Sequence, residues 1–294
     1  MASLDRLGWA AGASGVLLGV RIGVRVSEAA ALPEAVRRLP PGFARAPVPR
    51  LDRLYSVVVG GSAARAGLRR MHLVYADERL VLRSAVAGDA MDALESDARL
   101  CVAERARRRV FVHAGVVGWA GRAIIVPGRS HTGKSRLVQA LVRAGATYYS
   151  DEYAVLDAAG RVHPFVAALS IRAEGGRPAH RVAAAELGGH AGLPALPVAL
   201  VVVSPYARGA RGRLRRASAG EGALALLAHA VPARRRPAQV LASLSRVVGQ
   251  AAVLVGVRGE ADEAAHRLLT REARWADHPC EITGPSIVHS GRYE

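Results

Sequence analysis

The sequence predicts an α/β chain, α+β overall. An N-terminal α+β portion over about residues 1–100 precedes a mixed-sheet domain over about 101–275, and an irregular tail runs from 276 to 294. Three observations predict it. Apolar residues make up 51% of the 294 positions, enough to bury a substantial core. Apolar runs of strand length alternate with segments of helical period along most of the chain. The segment Gly128–Ser135 matches G-x-x-x-x-G-K-S, with an apolar strand before it and an amphipathic helix after it.

Taken in order, "GVLLGVRIGVRV" (Gly15–Val26) alternates as one strand, with Arg21 and Arg25 on one face. "LPEAVRRL" (Leu32–Leu39) is a short helix with Pro33 near its start, stopped by Pro40 and Pro41. "RLYSVVVG" is a strand, and "MHLVYADERLVLRS" is a hairpin turning at Ala76-Asp77-Glu78. Gly88–Arg109 is helical, with Met91, Leu94, Ala98 and Cys101/Val102 near a period of 3.6. "VFVHAGVVGWAGRAIIVPG" is a second hairpin, turning at Trp119–Arg122 and running into the glycine-bearing loop. "SRLVQALVRAG" is a helix whose Gly145 suits a C-cap. "ATYYSDEYAVLDAAGRVHPF" reads as strand, turn at Asp157–Gly160 and return strand. "LPVALVVVSPY" and "QAAVLVGVRG" are buried strands, "GEGALALLAHA" and "ADEAAHRLLTREARW" are helices, and Ala207–Gly220 is a loop rich in Gly and Arg. No internal repeat shows.

Forty-one basic against 24 acidic residues give a net charge of +17. Solvated surface arginines are the default reading of such an excess, and attraction of a polyanion (nucleotide, acidic peptide or nucleic acid) is the alternative. Nucleic acid is not expected, because the cations are scattered and aromatic residues are only 4% of the chain. Two short clusters stand out, Arg107–Arg109 and Arg234–Arg236. Cys101 and Cys280 fit no metal or redox spacing, and Cys101 packs in its helix. The apolar stretch Trp9–Val26 is interrupted by Arg21 and Arg25 and is too short and charged to span a bilayer. With no cleavage-type leader after Met1, the expected location is cytoplasmic.

The loop itself is Gly128-Arg129-Ser130-His131-Thr132-Gly133-Lys134-Ser135, and Lys134 is the only lysine among the 41 basic residues. Successive backbone amides and a helix N-terminus offer a positive pocket to phosphate oxygens, and glycines let the backbone approach closely. A compact ammonium fits between β- and γ-phosphates where a planar guanidinium does not. A composition that writes every other cation as arginine therefore keeps lysine at this position. The Ser135 hydroxyl suits the Mg²⁺ that accompanies a nucleotide. Arg129 and His131 occupy positions the motif leaves open, where a solvated loop residue is the default.

Asp151 and Glu152 lie 16 and 17 residues beyond Ser135, on the strand after the loop helix. If that strand sits beside the one feeding the loop, a carboxylate reaches the metal or a nucleophile. Neighbours on a strand point to opposite faces, so one site need not use both. His113, 15 residues before Gly128, is either a satisfied strand histidine or a group near the transferred phosphate. Arg172 and Arg234–Arg236 are candidates to clamp substrate charge, with surface solvation as the default.

The stretch "HAGVVGWAGRAIIVPGRSHTGKS…YYSDE" resembles the C-terminal catalytic domain of the HPr kinase/phosphorylase family, over roughly Val110–Phe165. The resemblance implies a P-loop kinase domain of the PEP-carboxykinase-like type. It places His113 at that family's active-site histidine, Lys134 on the nucleotide phosphates, Ser135 and Asp151 on Mg²⁺, and Glu152 where the family has the Asp that deprotonates the acceptor serine. Glutamate there keeps the carboxylate and adds a methylene. The family's later magnesium-binding Glu signature has no match, Glu174 being out of register, and the N-terminal portion has none either. These departures argue against the phosphate carrier protein as substrate and point to the HPr-kinase-related kinases, which include enzymes that modify ribosomal peptide natural products.

The expected activity is thus an ATP- and Mg²⁺-dependent kinase acting on a hydroxyl, foremost a serine of a peptide or protein, with the N-terminal portion as the region for substrate recognition. A nucleotide-binding regulatory module without transfer and a kinase of free serine are the alternatives. A nucleic-acid ATPase fits less well, because "LPVALVVVSPY" ends in Ser and Pro instead of a hydrolytic acid. A homo-oligomer is compatible with all of these.

Overall fold

A computed structural model describes residues 2–60, 70–129, 132–171 and 180–276. The expected irregular tail, Cys280, Arg172, Glu174, Ser130 and His131 lie outside the described residues. The first layer begins with α1 (Ala2–Asp5), β1 (Ala11–Leu17), β2 (Val20–Val26) and α2 (Leu32–Arg37). Next come β3 (Ala44–Arg45), β4 (Arg53–Val58), β5 (His72–Ala76) and β6 (Arg79–Ser84). They form a mixed sheet ordered β3-β1-β2-β4-β5-β6, in which β2 and β4 run parallel and the other pairs antiparallel. The single strand expected over Gly15–Val26 is a hairpin. The chain reverses at Leu18–Gly19, with φ of 49° and 81°, the geometry of a two-residue turn matched to strand twist. The pattern hid this because both arms alternate alike across the turn.

Helix α3 (Ala87–Arg105) covers that sheet and runs across the boundary expected near residue 100. Its Met91, Leu94, Ala98, Cys101 and Val102 pack with Val20, Ile22, Val24, Tyr55 and Val74, as their spacing requires. Phe111, Tyr153 and Phe165, from the second layer, complete the same core through edge-on ring contacts.

The second layer contains β7 (Val110–Trp119), β8 (Arg122–Pro127), α4 (Lys134–Arg143), β9 (Thr147–Ser150), β10 (Tyr153–Leu156) and β11 (Val162–His163). A small hairpin of β12 (Leu169–Ile171) and β13 (His180–Val182) follows. The chain continues with β14 (Val198–Val203), β15 (Arg213–Arg216), α5 (Ala219–Leu227), α6 (Pro237–Gln250), β16 (Ala252–Val257) and α7 (Ala261–Ala276). The larger mixed sheet is ordered β11-β10-β7-β8-β14-β16-β15, with β9 also joined to β7. Alternation along β8 divides its sides. Ile124 and Val126 face α4 and α7 through Leu137, Leu141 and Leu268, while Ala123 and Ile125 face α5 and α6 through Leu226, Leu244 and Val247. Among the described residues the molecule is thus mixed α/β, with helices on both faces of its larger sheet, and no helix is long and apolar enough to cross a membrane.

Besides the short α1, β3 and β13, two larger features were not anticipated. Helix α6 starts on Pro237 and buries Val240, Leu244, Val247 and Val248, a helical stripe blurred in sequence by the buried Ser243. Within the expected Gly/Arg loop, Arg213–Arg216 form the edge strand β15, whose charged side chains are the usual protection of an unpaired edge.

Candidate functional site

Strand β8 delivers the chain to Gly128, and α4 begins at Lys134. Between them Gly133 adopts φ 82°, a left-handed conformation that glycine holds without strain. A Cβ there would stand 2.4 Å from Nη2 of Arg258. Arg258 is 3% exposed, donating through Nη2 to the Gly133 carbonyl (2.7 Å) and through Nη1 to that of Gly259 (3.2 Å). The Tyr206 amide donates to the Thr132 carbonyl at 3.4 Å. The loops after β14 and β16 therefore brace the glycine-bearing loop from one side.

Lys134 is buried. Its Nζ donates to the Arg129 carbonyl at 2.6 Å, and the Thr132 hydroxyl donates to the same oxygen at 2.9 Å. Burial draws the ammonium pKa down to about 8, while the charges of Asp151 and Glu152 oppose the change. A cavity of about 230 Å³ opens here, lined by Gly128, Arg129, Thr132, Lys134, Ser204 and His229 among others. The Ser204 hydroxyl at this wall is buried without a hydrogen-bond partner among the described residues.

The acidic pair reaches the loop by an unexpected route. β9 and β10 pair with β7 and not with β8, so the strand after the loop helix lies one strand further away. The expectation that it sits beside the loop strand is corrected, because the antiparallel β7–β8 hairpin occupies that edge. The Ser150 hydroxyl accepts from the amides of Glu152 (3.1 Å) and Tyr153 (3.0 Å), interrupting the strand at Asp151–Glu152. The two carboxylates then diverge. Asp151 accepts from the Ser135 hydroxyl at 3.0 Å, and its other oxygen lies 3.0 Å from the Tyr148 hydroxyl. Glu152 accepts from Arg99 on α3 at 2.9 Å, and Arg99 also pairs with Glu95, which Arg38 holds in turn. Burial raises the Glu152 pKa, with Arg99 pulling the other way.

His113 sits at the junction of these segments. Its amide donates to the His229 carbonyl (2.8 Å), and its own carbonyl accepts from Gly128 (3.3 Å). Its ring Nδ1 is 2.8 Å from the Glu152 carbonyl, which can only accept. In the neutral ring this puts the proton on Nδ1 and the lone pair on Nε2. Burial, then the Lys134 charge, lower its pKa. His229 is shifted the same way by burial and by His113, Lys134 and Arg129.

The structure therefore gathers Gly128, Arg129, Thr132, Gly133, Lys134, Ser135, Asp151, Glu152 and His113 around one end of the larger sheet. Arg234–Arg236 are not part of that gathering: Arg235 and Arg236 line a different cleft, and Arg236 donates to the carbonyls of Ala106 and Glu104. Cys101 is buried in its helix, as expected. Arg99, Tyr148, Ser204, His229 and Arg258 were missed, since no local motif distinguishes them. Among the described residues no group of three His, Cys, Asp or Glu converges as a metal-binding set. No family model and no curated protein matches the chain.

Proposed function

We propose that the chain is an ATP-dependent phosphotransferase of the PEP-carboxykinase-like P-loop type, moving the γ-phosphoryl group to a hydroxyl, foremost a serine of a peptide or protein. The observation that carries this reading is the 3.0 Å contact between Ser135, beside the loop lysine, and Asp151, which lies with Glu152 in the break between β9 and β10. A nucleotide-binding loop and a divided pair of acids meet at one place.

The roles follow from the chemistry. The α4 N-terminus and Lys134 would hold phosphate oxygens, with the ammonium leaving the Arg129 carbonyl for them. Ser135 and Asp151 form a hydroxyl–carboxylate set suited to Mg²⁺, which takes one or two such protein ligands beside water and substrate phosphates. When bound, that ion would offset charge on the phosphates. Glu152, its pKa raised by burial, is a fit base for a hydroxyl proton, and Arg99 fixes its direction. Neutral His113, tied through Nδ1 to the Glu152 backbone, positions the same segment.

Incubation with γ-labelled ATP, magnesium and serine-bearing peptides tests the proposal. Label should pass to peptide, and Glu152→Gln should lower turnover ~10²–10⁴-fold with ATP affinity retained. Label passing only to free serine would redirect the acceptor. Tight ATP binding without transfer to any hydroxyl would leave a nucleotide-binding module and sink the kinase reading.

A further inference from the structure

A second concavity is larger than the loop cavity and far more charged. It measures about 850 Å³, toward the top of the ~300–1,000 Å³ range typical of ligand pockets. Four separate segments wall it: the β1–β2 turn with Arg21, Asp52 just before β4, the chain from Glu104 to Arg109, and Arg235–Arg236. Seven arginines face two carboxylates. Both acids are engaged already. Asp52 accepts from Arg21 at 3.0 and 2.7 Å, and Glu104 lies 3.4 Å from Arg235. Arg236 is occupied with the last carbonyls of α3, which it caps. Arg107 and Arg108 are exposed, and the buried Nε groups of Arg105 and Arg109 find no acceptor among the described residues. The cleft holds a surplus of forked donors and a deficit of acceptors.

We propose that this cleft is a docking groove for an acidic peptide segment. Guanidinium forks pair with carboxylates two bonds at a time, and arginines on three walls require an extended anion in place of a single ion. A nucleic acid is the poorer occupant, because among the described residues the lining contains no aromatic side chain on which a base could stack. The groove also has a bearing toward the loop cavity. Strand β7 leaves it at Val110 and reaches His113 three residues later, about 10 Å at ~3.3 Å per residue. The segment from Arg236 back to His229 spans the same interval. A peptide anchored by its acids could thus present a nearby hydroxyl to Glu152. That last step rests on the phosphoryl-transfer reading; the docking does not.

Fluorescence anisotropy with a fluorescein-labelled Asp/Glu-rich peptide at physiological salt tests it on the full chain without nucleotide. Arg107→Ala/Arg108→Ala/Arg235→Ala should weaken binding roughly tenfold, and Arg208→Ala/Arg211→Ala/Arg213→Ala, which removes equal charge elsewhere, less than about twofold. Lys134→Met should bind the peptide as wild type does, separating docking from phosphoryl transfer. Equal losses in both triple variants, no saturable binding, or loss of binding in Lys134→Met would each overturn the proposal. So would tighter binding of a single-stranded oligonucleotide of equal charge through the same arginines.

Discussion

The loop cavity and the arginine cleft both collect positive charge, and they do so by opposite means. In the cavity a single ammonium is 7% exposed and burial lowers its pKa to about 8. In the cleft, guanidinium groups stay charged whatever their surroundings, spread over three segments, and several are exposed. An ammonium can be buried and its strength tuned by what lies around it. A guanidinium is hard to neutralise and suits a surface that attracts from a distance. Lys134, the chain's one lysine, stands where the first property matters, beside the buried guanidinium of Arg258, which is spent on the carbonyls that brace the loop.

Replacing Lys134 tests that contrast most severely. Lys134→Met should lower ATP affinity by ~100-fold or more, the loss of about 3 kcal/mol of charge-assisted hydrogen bonding, in a calorimetric titration. Lys134→Arg should not restore it, because the planar fork cannot occupy the space beside the Arg129 carbonyl. Wild-type affinity in the arginine variant would erase the distinction between the two regions.

The same lysine should impose a pH dependence on stability. Its folded-state pKa, about 8, lies below the ordinary 10.5, so between those values the unfolded chain binds more protons. Stability should therefore rise as pH climbs from 8 to 10.5, by on the order of 2 kcal/mol. Denaturant unfolding of Lys134→Met should show it at least as stable as wild type at pH 7, with the gap closing toward pH 10. A constant gap would mean that the ammonium is not paying the burial penalty described.

Two glycines with nearly the same φ refine the comparison. Gly133, in the loop, has φ 82°, and an added Cβ would meet Arg258 at 2.4 Å. Gly19, in the turn at the cleft, has φ 81° and open space. Both alanine variants carry left-handed strain of about 1 kcal/mol, and only Gly133→Ala must also displace a buried guanidinium. Unfolding midpoints should fall further for Gly133→Ala, and ATP binding should suffer in that variant alone.

These contrasts also mark what the chain discloses before it folds. The loop is legible because eight consecutive residues specify it, and β8 and α4 because their periods are clean. Asp151 is legible by its spacing from Ser135. The divergence of Asp151 from Glu152 is not, since it depends on the Ser150 hydroxyl capturing two amides. Arg99 and Arg258 are two among many arginines, and His229 follows an unremarkable helix; only the pairing of distant segments singles them out. The hairpin at Leu18–Gly19 was masked by identical alternation on both arms, and α6 by its small and polar residues. The cleft needed both sheets, although its two arginine clusters were plain in the sequence.

The smallest effect belongs to the cleft wall, and its sign is opposite to that of Lys134. Two guanidinium hydrogen bonds and the Arg21 amide, at 2.9 Å, hold the Asp52 carboxyl down at about 2 against an ordinary 3.8. A lowered acid stabilises the fold fully above pH 3.8 and ceases to do so as pH falls through about 2. The pair is partly exposed, so the contribution should be about 1 kcal/mol or less and should shrink in salt. Asp52→Asn should therefore unfold slightly earlier than wild type at pH 5, and the two curves should meet near pH 2. If they stay apart there, Asp52 supports the turn by shape instead of charge, and the wall of the groove is set by packing more than by its ion pairs.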